Sequence, residues 1–415
     1  MADARAMLTL DEAIERLCNA ARAHAIAESE SLSTFDALGR VLAQEVVSTL
    51  DVPPADNTSM DGYAMRSADV PAAGTVLAVG QRVPAGVVGA RLEPGTAARI
   101  FTGAQIPDGA DAVVMQEQCE PLPGPGLGGV RVQVVPKAGQ WIRRRGEDVM
   151  HGATVLQRGA RLTPQALGMA ATVGAARLRV VRAPRVALFS TGDELVLPGE
   201  PLKPGGIYNS NRFTLKGLLQ AAGCQVRDLG IVPDRLEATR EALRRAAEDS
   251  DLILTSGGVS VGEEDHLRPA VQAEGAIENW QVAIKPGKPL AFGQVRRADG
   301  SASLFIGLPG NPVSSFVTFL LCVAPVLRVL QGGPGALPSA WPMTAGFDWP
   351  RPDRRREFLR ARVGAGGRLE LFPNQSSGVL TSAVWADGLV DNPSGQAVAA
   401  GDIVRFLPMN SLIGG

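Results

Sequence analysis

DLILTSGGVSVGEED, Asp251–Asp265, is the stretch whose reading decides the fold. Asp251–Thr255 is an apolar run too short for a helix and reads as a buried strand. It ends in Ser256-Gly257-Gly258, where two adjacent glycines let the backbone turn sharply and approach a ligand with no Cβ in the way. Gly262 and three acids follow, Glu263, Glu264 and Asp265, and Asp265 reads as the N-cap of a helix over His266–Ala273. Strand, Gly-rich turn and helix start make an anion site at the carboxyl end of a parallel sheet. Acids beside such a site suggest a divalent cation between them and the anion. A plain tight turn followed by a plain helix cap fits this stretch alone equally well.

Working outward, strands alternate with helices. Arg185–Ser190 is a strand entering Thr191-Gly192-Asp193-Glu194, and a helix follows the caps Asn209, Ser210 and Asn211 until Gly223 stops it. Gln225–Val232 is a strand, and Asp234 with Glu237 caps a helix that reaches Asp249. Val282–Ile284 and Leu290–Val295 read as a hairpin around Lys285-Pro286-Gly287-Lys288. Leu304–Leu308 enters Pro309-Gly310-Asn311-Pro312 and a long apolar helix, with Asn311 as N-cap and Pro312 at N1. The alternation implies a parallel sheet covered on both faces.

The flanks have a different texture. Thr9 and Glu12 form a capping box before a helix with Leu10, Ala13, Ile14 and Leu17 on one face. A short helix is expected over Thr34–Leu38, a strand over Val41–Val47, and a loop over Asp51–Asp61. From Asp61 to Asp148 short β runs are separated by Gly and Pro. Gly124–Gly129, GPGLGG, matches GxGxxG in form but contains Pro125 and precedes no helix, so it reads as a hairpin tip. Trp141–Asp148, WIRRRGED, sets three arginines beside two acids, either a solvated basic loop or an oxyanion contact. Thr163–Val173 is a helix with Pro164 in its first turn. Gly332–Pro342 is a linker by composition, and Thr344–Gly415 is a small β domain.

At 415 residues the chain has room for roughly two to four domains. A net charge of -1 supplies no basic field for nucleic acid. Four scattered cysteines without a CxxC, and only three histidines, speak against a Cys/His zinc site and fit a reducing cytosol. No P-loop or GxSxG elbow is present. The N-terminus carries no signal pattern, and Phe316–Leu330 is too short to span a bilayer, so a cytoplasmic protein without a membrane partner is expected. Asp193/Glu194, Asp234, Asp265 and Lys285/Lys288 all fall on loops at strand ends. A phosphate-bearing, polyanionic substrate with Mg²⁺ explains both charge signs together. Taken singly, Asp234 also reads as a cap, Asp193 and Glu194 as turn residues, and the lysines as solvated charges.

At these residues the sequence resembles the MoeA family of molybdopterin molybdenumtransferases, related to the gephyrin E domain. The similar stretches run in order through nearly the whole chain: DNTSMDGYAMR at Asp56–Arg66, FTGAQIPDGADAVVMQE at Phe101–Glu117, RRRGEDV at Arg143–Val149 and STGDEL at Ser190–Leu195. They continue through TSGGVSVGEED at Thr255–Asp265, IKPGKPLAFG at Ile284–Gly293, GLPGNPVSSF at Gly307–Phe316, REFLRARV at Arg356–Val363 and NQSSGVL at Asn374–Leu380. The resemblance implies a multidomain α/β plus β fold. Its parts are a discontinuous helical domain (1–55 and 150–182), an inserted β domain (56–149), a molybdopterin-binding three-layer α/β/α domain (183–331) and a C-terminal β-barrel (332–415). It implies conversion of adenylylated molybdopterin and molybdate to molybdenum cofactor, with Mg²⁺-assisted release of AMP.

The family's functional positions fall on Asp61, Thr102, Arg143, Asp148, Glu194, Asp234, Asp265, Lys285, Lys288, Pro309, Pro312 and a serine of NQSSGVL, taken as Ser376 rather than Ser377. On this footing Glu194 and Asp265 would hold Mg²⁺ or orient the pterin phosphate, and the Ser256–Gly258 backbone would cradle phosphate or pterin. Lys285 and Lys288 would bind anionic oxygens, and Pro309 and Pro312 would shape a turn wall. Arg143 and Thr102 would contact oxyanions, with Asp61 and Asp148 orienting them. The resemblance also implies a homodimer with sites shared between chains, and dealings with the molybdopterin adenylyltransferase and with apo-molybdoenzymes or their chaperones. The rival readings are a gephyrin-like scaffold, for which the chain lacks an expected extension or long linker, and a nucleotide-diphosphate hydrolase, which would not need the flanking β domains.

Overall fold

The computed structural model describes residues 7–258 and 266–414. These divide into two compact units. One comprises the chain up to Glu30, Gly39–Ala43 and everything from Val180 onward, and the other comprises Ser31–Leu38 and Gln44–Arg179.

In the first unit, α1 (Leu10–Ala23) opens with the expected capping box: the Thr9 hydroxyl accepts from the Glu12 N–H while the Glu12 carboxylate accepts from the Thr9 N–H. Its buried face is Leu10, Ala13, Leu17, Cys18 and Ala21, with Ile14 partly buried. Each fully buried leucine there contributes about 1.5–3 kcal/mol.

The second unit holds one six-stranded sheet. Its strands are β1 (Gly62–Met65), β2 (Thr75–Val83), β3 (Thr96–Ile100), β4 (Ala112–Met115), β5 (Cys119–Leu122) and β6 (Gly129–Val132), in the order β4-β1-β3-β2-β6-β5. GPGLGG is a hairpin tip: Leu122 pairs Gly129 across an antiparallel β5/β6 ladder. Asn57–Thr58 pairs Ile142–Arg143, so the expected loop Asp51–Asp61 contains a two-residue strand. Two other local readings shrink. Thr34–Leu38 is a 3₁₀ turn over Thr34–Asp36, and Val41–Val47 is a strand only at Val46–Val47. α2 (Pro164–Thr172) starts as expected, capped by the Thr163 hydroxyl.

The central sheet of the first unit uses β7 (Arg185–Thr191), β8 (Gln225–Val232), β9 (Leu252–Ser256), β10 (Gly275–Gln281), β11 (Pro289–Arg296) and β12 (Ala302–Leu308), in the order β8-β7-β9-β12-β11-β10. β8, β7, β9 and β12 are parallel, whereas β11 pairs antiparallel with both β12 and β10, so the sheet is mixed and not wholly parallel as expected. The hairpin partner of β11 is β10, not Val282–Ile284. Ile284–Lys285 instead pairs in parallel with Arg356–Glu357 of the C-terminal sheet. Three intervening helices are α3 (Ser210–Ala221), α4 (Leu236–Ala247) and α5 (Leu267–Glu274). The apolar side chains of α3 and α1 cover one face of the sheet and those of α4 and α5 the other, as alternation implies.

Two caps differ from expectation. Arg235, not Asp234, is the N-cap of α4, and no side chain caps that end; the Asp234 N–H donates to the Asp193 carboxylate (3.2 Å). His266 occupies the N-cap of α5; the stretch with Asp265, Glu263 and Glu264 lies outside the described residues.

Helix α6, Pro312–Leu330, packs against α1 in the same core as the first sheet face. At 19 residues and mean hydropathy 2.1 it is long and apolar enough to cross a membrane, which corrects the expectation of a stretch too short to do so. Its place is nonetheless inside the protein, since 94% of its most apolar window is buried. The helix widens to a π turn over Phe319–Val323 just before Pro325, which has no N–H to donate back along the axis. Beyond it, β13 (Trp341–Thr344), β14 (Arg356–Val363), β15 (Gly388–Asn392) and β16 (Ile403–Pro408) form the C-terminal sheet, ordered β14-β15-β16-β13. Phe358 of β14 joins the core around α6, while Leu359 and Ala361 point to the sheet's own core.

Candidate active site

Four strands deliver their following loops to one edge. Register pairs Thr191 with Val232, Ser190 with Ser256, and Ser256 with Leu308. The Thr191–Glu194, Val232–Asp234, Ser256–Gly258 and Leu308–Pro312 turns therefore leave the sheet side by side, at the carboxyl ends where open α/β sheets bind ligands. Gly257 and Gly258 have φ of +90° and +65°. A Cβ on Gly257 would stand 2.8 Å from the Thr191 carbonyl oxygen, so this turn needs glycine. The Gly257 N–H donates to Leu308 O (3.1 Å), and a Cβ on Gly310 would stand 3.8 Å from Gly257 Cα. The two turns thus abut at Gly257 and Gly310, where no side chain covers the backbone.

Around that floor of bare backbone, Pro309 is buried and Pro312 half-buried. Ser256 is buried, its hydroxyl 3.1 Å from that of Ser190. Asn211, read from sequence as one of three caps, does more: its Nδ2 donates to Gly310 O (2.7 Å) and holds the Pro309–Pro312 turn, while its Oδ1 is buried without a donor. Only a tertiary partner could have revealed that role. Glu194 is exposed and curls over Gly192, with no hydrogen bond to its carboxylate among the described residues. Asp193, grouped with Glu194 in the sequence but not among the family's functional positions, accepts from the Asp234 N–H and ties two of the turns together.

The two lysines differ. β11 starts at this same edge, and Gly287 packs on Thr318 of α6. Lys285 Nζ lies 3.2 Å from Glu357 Oε1 and 3.4 Å from Asp353 Oδ2. Glu357 is fully buried and also accepts from Trp349 Nε1 and the Asp353 N–H. The Arg355 guanidinium, then burial acting the other way, and further donors leave the Asp353 carboxyl far below the usual carboxylate range. Lys288 is exposed and its ammonium has no partner among the described residues. The C-terminal sheet reaches the same edge through Asn374–Leu380: Val313 N–H, in the first turn of α6, donates to Ser377 O (2.9 Å). Ser376 is exposed, and its carbonyl faces the buried guanidinium of Arg360 at 3.5 Å. Burial without an acidic partner pushes Arg360 down to about 10.

The second unit carries the other set. Asp61 Oδ1 accepts from both the N–H and the hydroxyl of Thr102, each at 2.7 Å. The backbone N–H, then the hydroxyl, lower the Asp61 pKa, with a smaller contribution from the Arg99 charge. Both Thr102 donors are thereby engaged by Asp61. Arg143 and Asp148 line a cavity of about 390 Å³ with Val52, Pro53, Asn57 and Glu147. Of the three consecutive arginines, Arg144 pairs with Asp56 and Arg145 with Asp51, leaving Arg143 exposed with no polar side-chain partner among the described residues.

No group of three His, Cys, Asp or Glu side chains gathers at one point among the described residues. Mg²⁺ does not need one, since it keeps several waters and takes one or two carboxylates together with substrate phosphates. Glu194, exposed and not engaged, fits that demand as one carboxylate; Asp265 lies outside the described residues.

Comparison with known proteins gives a consistent result along the chain. Residues 8–174 match the MoeA N-terminal region (domain I and II), 187–329 a probable molybdopterin binding domain, and 342–409 the MoeA C-terminal region (domain IV). A molybdopterin molybdenumtransferase of Haemophilus influenzae is 38% identical over 417 residues, covering 98% of this chain and all of the relative. Gephyrin of Dictyostelium discoideum is 35% identical over 74% of this chain but 47% of its own length. The crystal structure of the molybdopterin biosynthesis MoeA protein from Pyrococcus horikoshii OT3 superposes with a TM-score of 0.81 at 28% identity, covering 97% of this chain and 99% of that one.

Proposed function

We propose, since this chain belongs to the MoeA family of molybdopterin molybdenumtransferases, that it inserts molybdate into adenylylated molybdopterin and releases AMP. The observation that carries the reading is the edge of the α/β sheet. There a floor of glycine backbone lies beside an unengaged carboxylate, Glu194, and an unengaged ammonium, Lys288. In this reading the Ser256–Gly258 and Pro309–Pro312 turns seat the phosphate or pterin, because the glycines Gly257, Gly258 and Gly310 leave backbone open to a polyanion. Lys288 neutralises substrate oxygens, and Lys285 does so from within its acidic cluster. Mg²⁺, held by Glu194 and Asp265, would supply charge neutralisation at the phosphoanhydride. Asp234 and Asp193 keep the neighbouring turns in register. Arg143 contacts an oxyanion, Asp148 orients it, Asp61 sets Thr102, and Ser376 faces the substrate from the C-terminal sheet. Cleavage of the phosphoanhydride bond, with AMP as leaving group, drives metal delivery to the dithiolene.

The four-part division into 1–55 with 150–182, 56–149, 183–331 and 332–415, a cytoplasmic location and a homodimeric working unit belong to the same proposal. So do the adenylyltransferase and apo-molybdoenzymes or their chaperones as partners. A scaffold role finds less support, since the transferase relative matches from end to end and gephyrin over less than half its length. The test is AMP release. It should require adenylylated molybdopterin and molybdate together; release that is indifferent to molybdate marks a hydrolase and sinks the proposal. Mixing Asp61→Ala with Lys288→Ala chains tests the dimer: activity should return in the mixture if two chains complete each other's sites. With heterodimers confirmed, a mixture as inactive as its parents rejects that arrangement.

A further inference from the structure

Three strand ends of the second unit meet around one guanidinium that no site assignment includes. Arg99 lies in β3, in register with Tyr63 of β1 and Arg82 of β2. Its Nη1 donates to Gly62 O (2.8 Å) and Ile100 O (3.2 Å), and its Nη2 to Gln116 Oε1 (2.6 Å). Its Cζ sits 4.5 Å from the ring centre of Phe101 and 5.3 Å from that of Tyr63. Gln116 N–H in turn donates to Asp61 O (3.0 Å).

The consequence is local and specific. Gly62 follows Asp61, and Ile100-Phe101 precedes Thr102, so the fork grips the backbone on both sides of the Asp61–Thr102 contact. Gln116 closes the third side by binding both the fork and the Asp61 carbonyl. A planar guanidinium can serve two carbonyls and an amide at once while stacking on aromatic faces; an ammonium cannot hold that geometry. Its charge also favours the ionised form of Asp61.

We propose that Arg99 is the positioning residue of the Asp61–Thr102 pair, setting the backbone on which the two face each other. The inference rests on the reading of Asp61 as a working residue of the transferase. Arg99 acts through Asp61 and touches no substrate.

A double-mutant cycle on the full chain tests it, with kcat and KM for adenylylated molybdopterin read from AMP release at fixed molybdate. Arg99→Met and Asp61→Asn should each lower kcat/KM by roughly tenfold or more, the size of one charge-assisted contact. If Arg99 works through Asp61, the double variant is no worse than Asp61→Asn alone. An Arg99 that only glues the sheet lowers the amount of folded protein independently of Asp61, so the two losses multiply, and that result overturns the inference. Gln116→Ala removes one partner of the fork at an exposed position and gives the same cycle should Arg99→Met not fold. Full activity of Asp61→Asn is a separate outcome: it removes Asp61 from the site and fails the functional reading before Arg99 is weighed.

Discussion

Lys285 and Lys288 stand three positions apart, and the sequence treats them alike. The structure does not. Lys285 is the ammonium against a fully buried carboxylate, Glu357, whereas Lys288 is exposed with no partner among the described residues. Lys285→Ala should therefore destabilise the protein by about 1–3 kcal/mol, the cost of leaving Oε1 of the buried Glu357 carboxylate without its donor while Oε2 keeps its own, and lower the melting temperature. Lys288→Ala should leave melting within about 0.5 kcal/mol of the parent. It should weaken binding of adenylylated molybdopterin and make the remaining binding less sensitive to salt. Equal melting temperatures for the two variants would dismiss the distinction. Asp353 belongs to the same cluster and carries a pH signature. Its folded pKa is depressed, chiefly by Arg355, from the ordinary aspartate value of 3.8. Its contribution to stability is thus fully present above that value and is lost as pH falls below it. The melting temperature should drop on acidification from about pH 5 to pH 3 more steeply in the parent than in Asp353→Asn. None of this cluster was legible, because Glu357 and Asp353 lie some seventy residues from Lys285 with no local pattern joining them. The Thr9–Glu12 box was legible because both partners lie within one turn.

At the scale of elements, short apolar runs and helices with a single apolar stripe identify themselves: β7, β8, β9 and β12 fall within a residue or two of their expected bounds, although β8 is a half-exposed edge strand. β10 escaped because GAIENWQ is neither a run nor a clean alternation, and its antiparallel partner alone gives it a register. With β10 missing, Val282–Ile284 looked like the nearest mate for β11. The turn after β9 was read correctly from two adjacent glycines. Its requirement can be tested directly. Gly257→Ala forces a side chain into positive φ and to within 2.8 Å of the Thr191 carbonyl oxygen. Such strain costs about 1–3 kcal/mol, and its relief displaces the turn after β9 or the Thr191 backbone beside it. Loss of turnover with a lowered melting temperature is expected; an Ala variant with full activity would show that the backbone floor has no part in binding.

For the whole molecule, motif order along the chain identified the family, and composition and periodicity alone would have stopped at a mixed α/β protein with flanking β parts. The division into two compact units was out of reach of sequence, because the first unit recruits residues up to Glu30 and Gly39–Ala43 from far upstream of its sheet. α1 belongs with that core because its Leu10–Leu17 face meets α6, a contact across some three hundred residues. The central claim is that this chain delivers molybdenum to adenylylated molybdopterin. The most direct measurement supplies a purified apo-molybdoenzyme with adenylylated molybdopterin, Mg²⁺ and micromolar molybdate, with and without the protein, and reads the activity of the reconstituted enzyme. The account predicts activity that depends on the protein and is sharply reduced with Lys288→Ala; equal activity with and without the protein would contradict it.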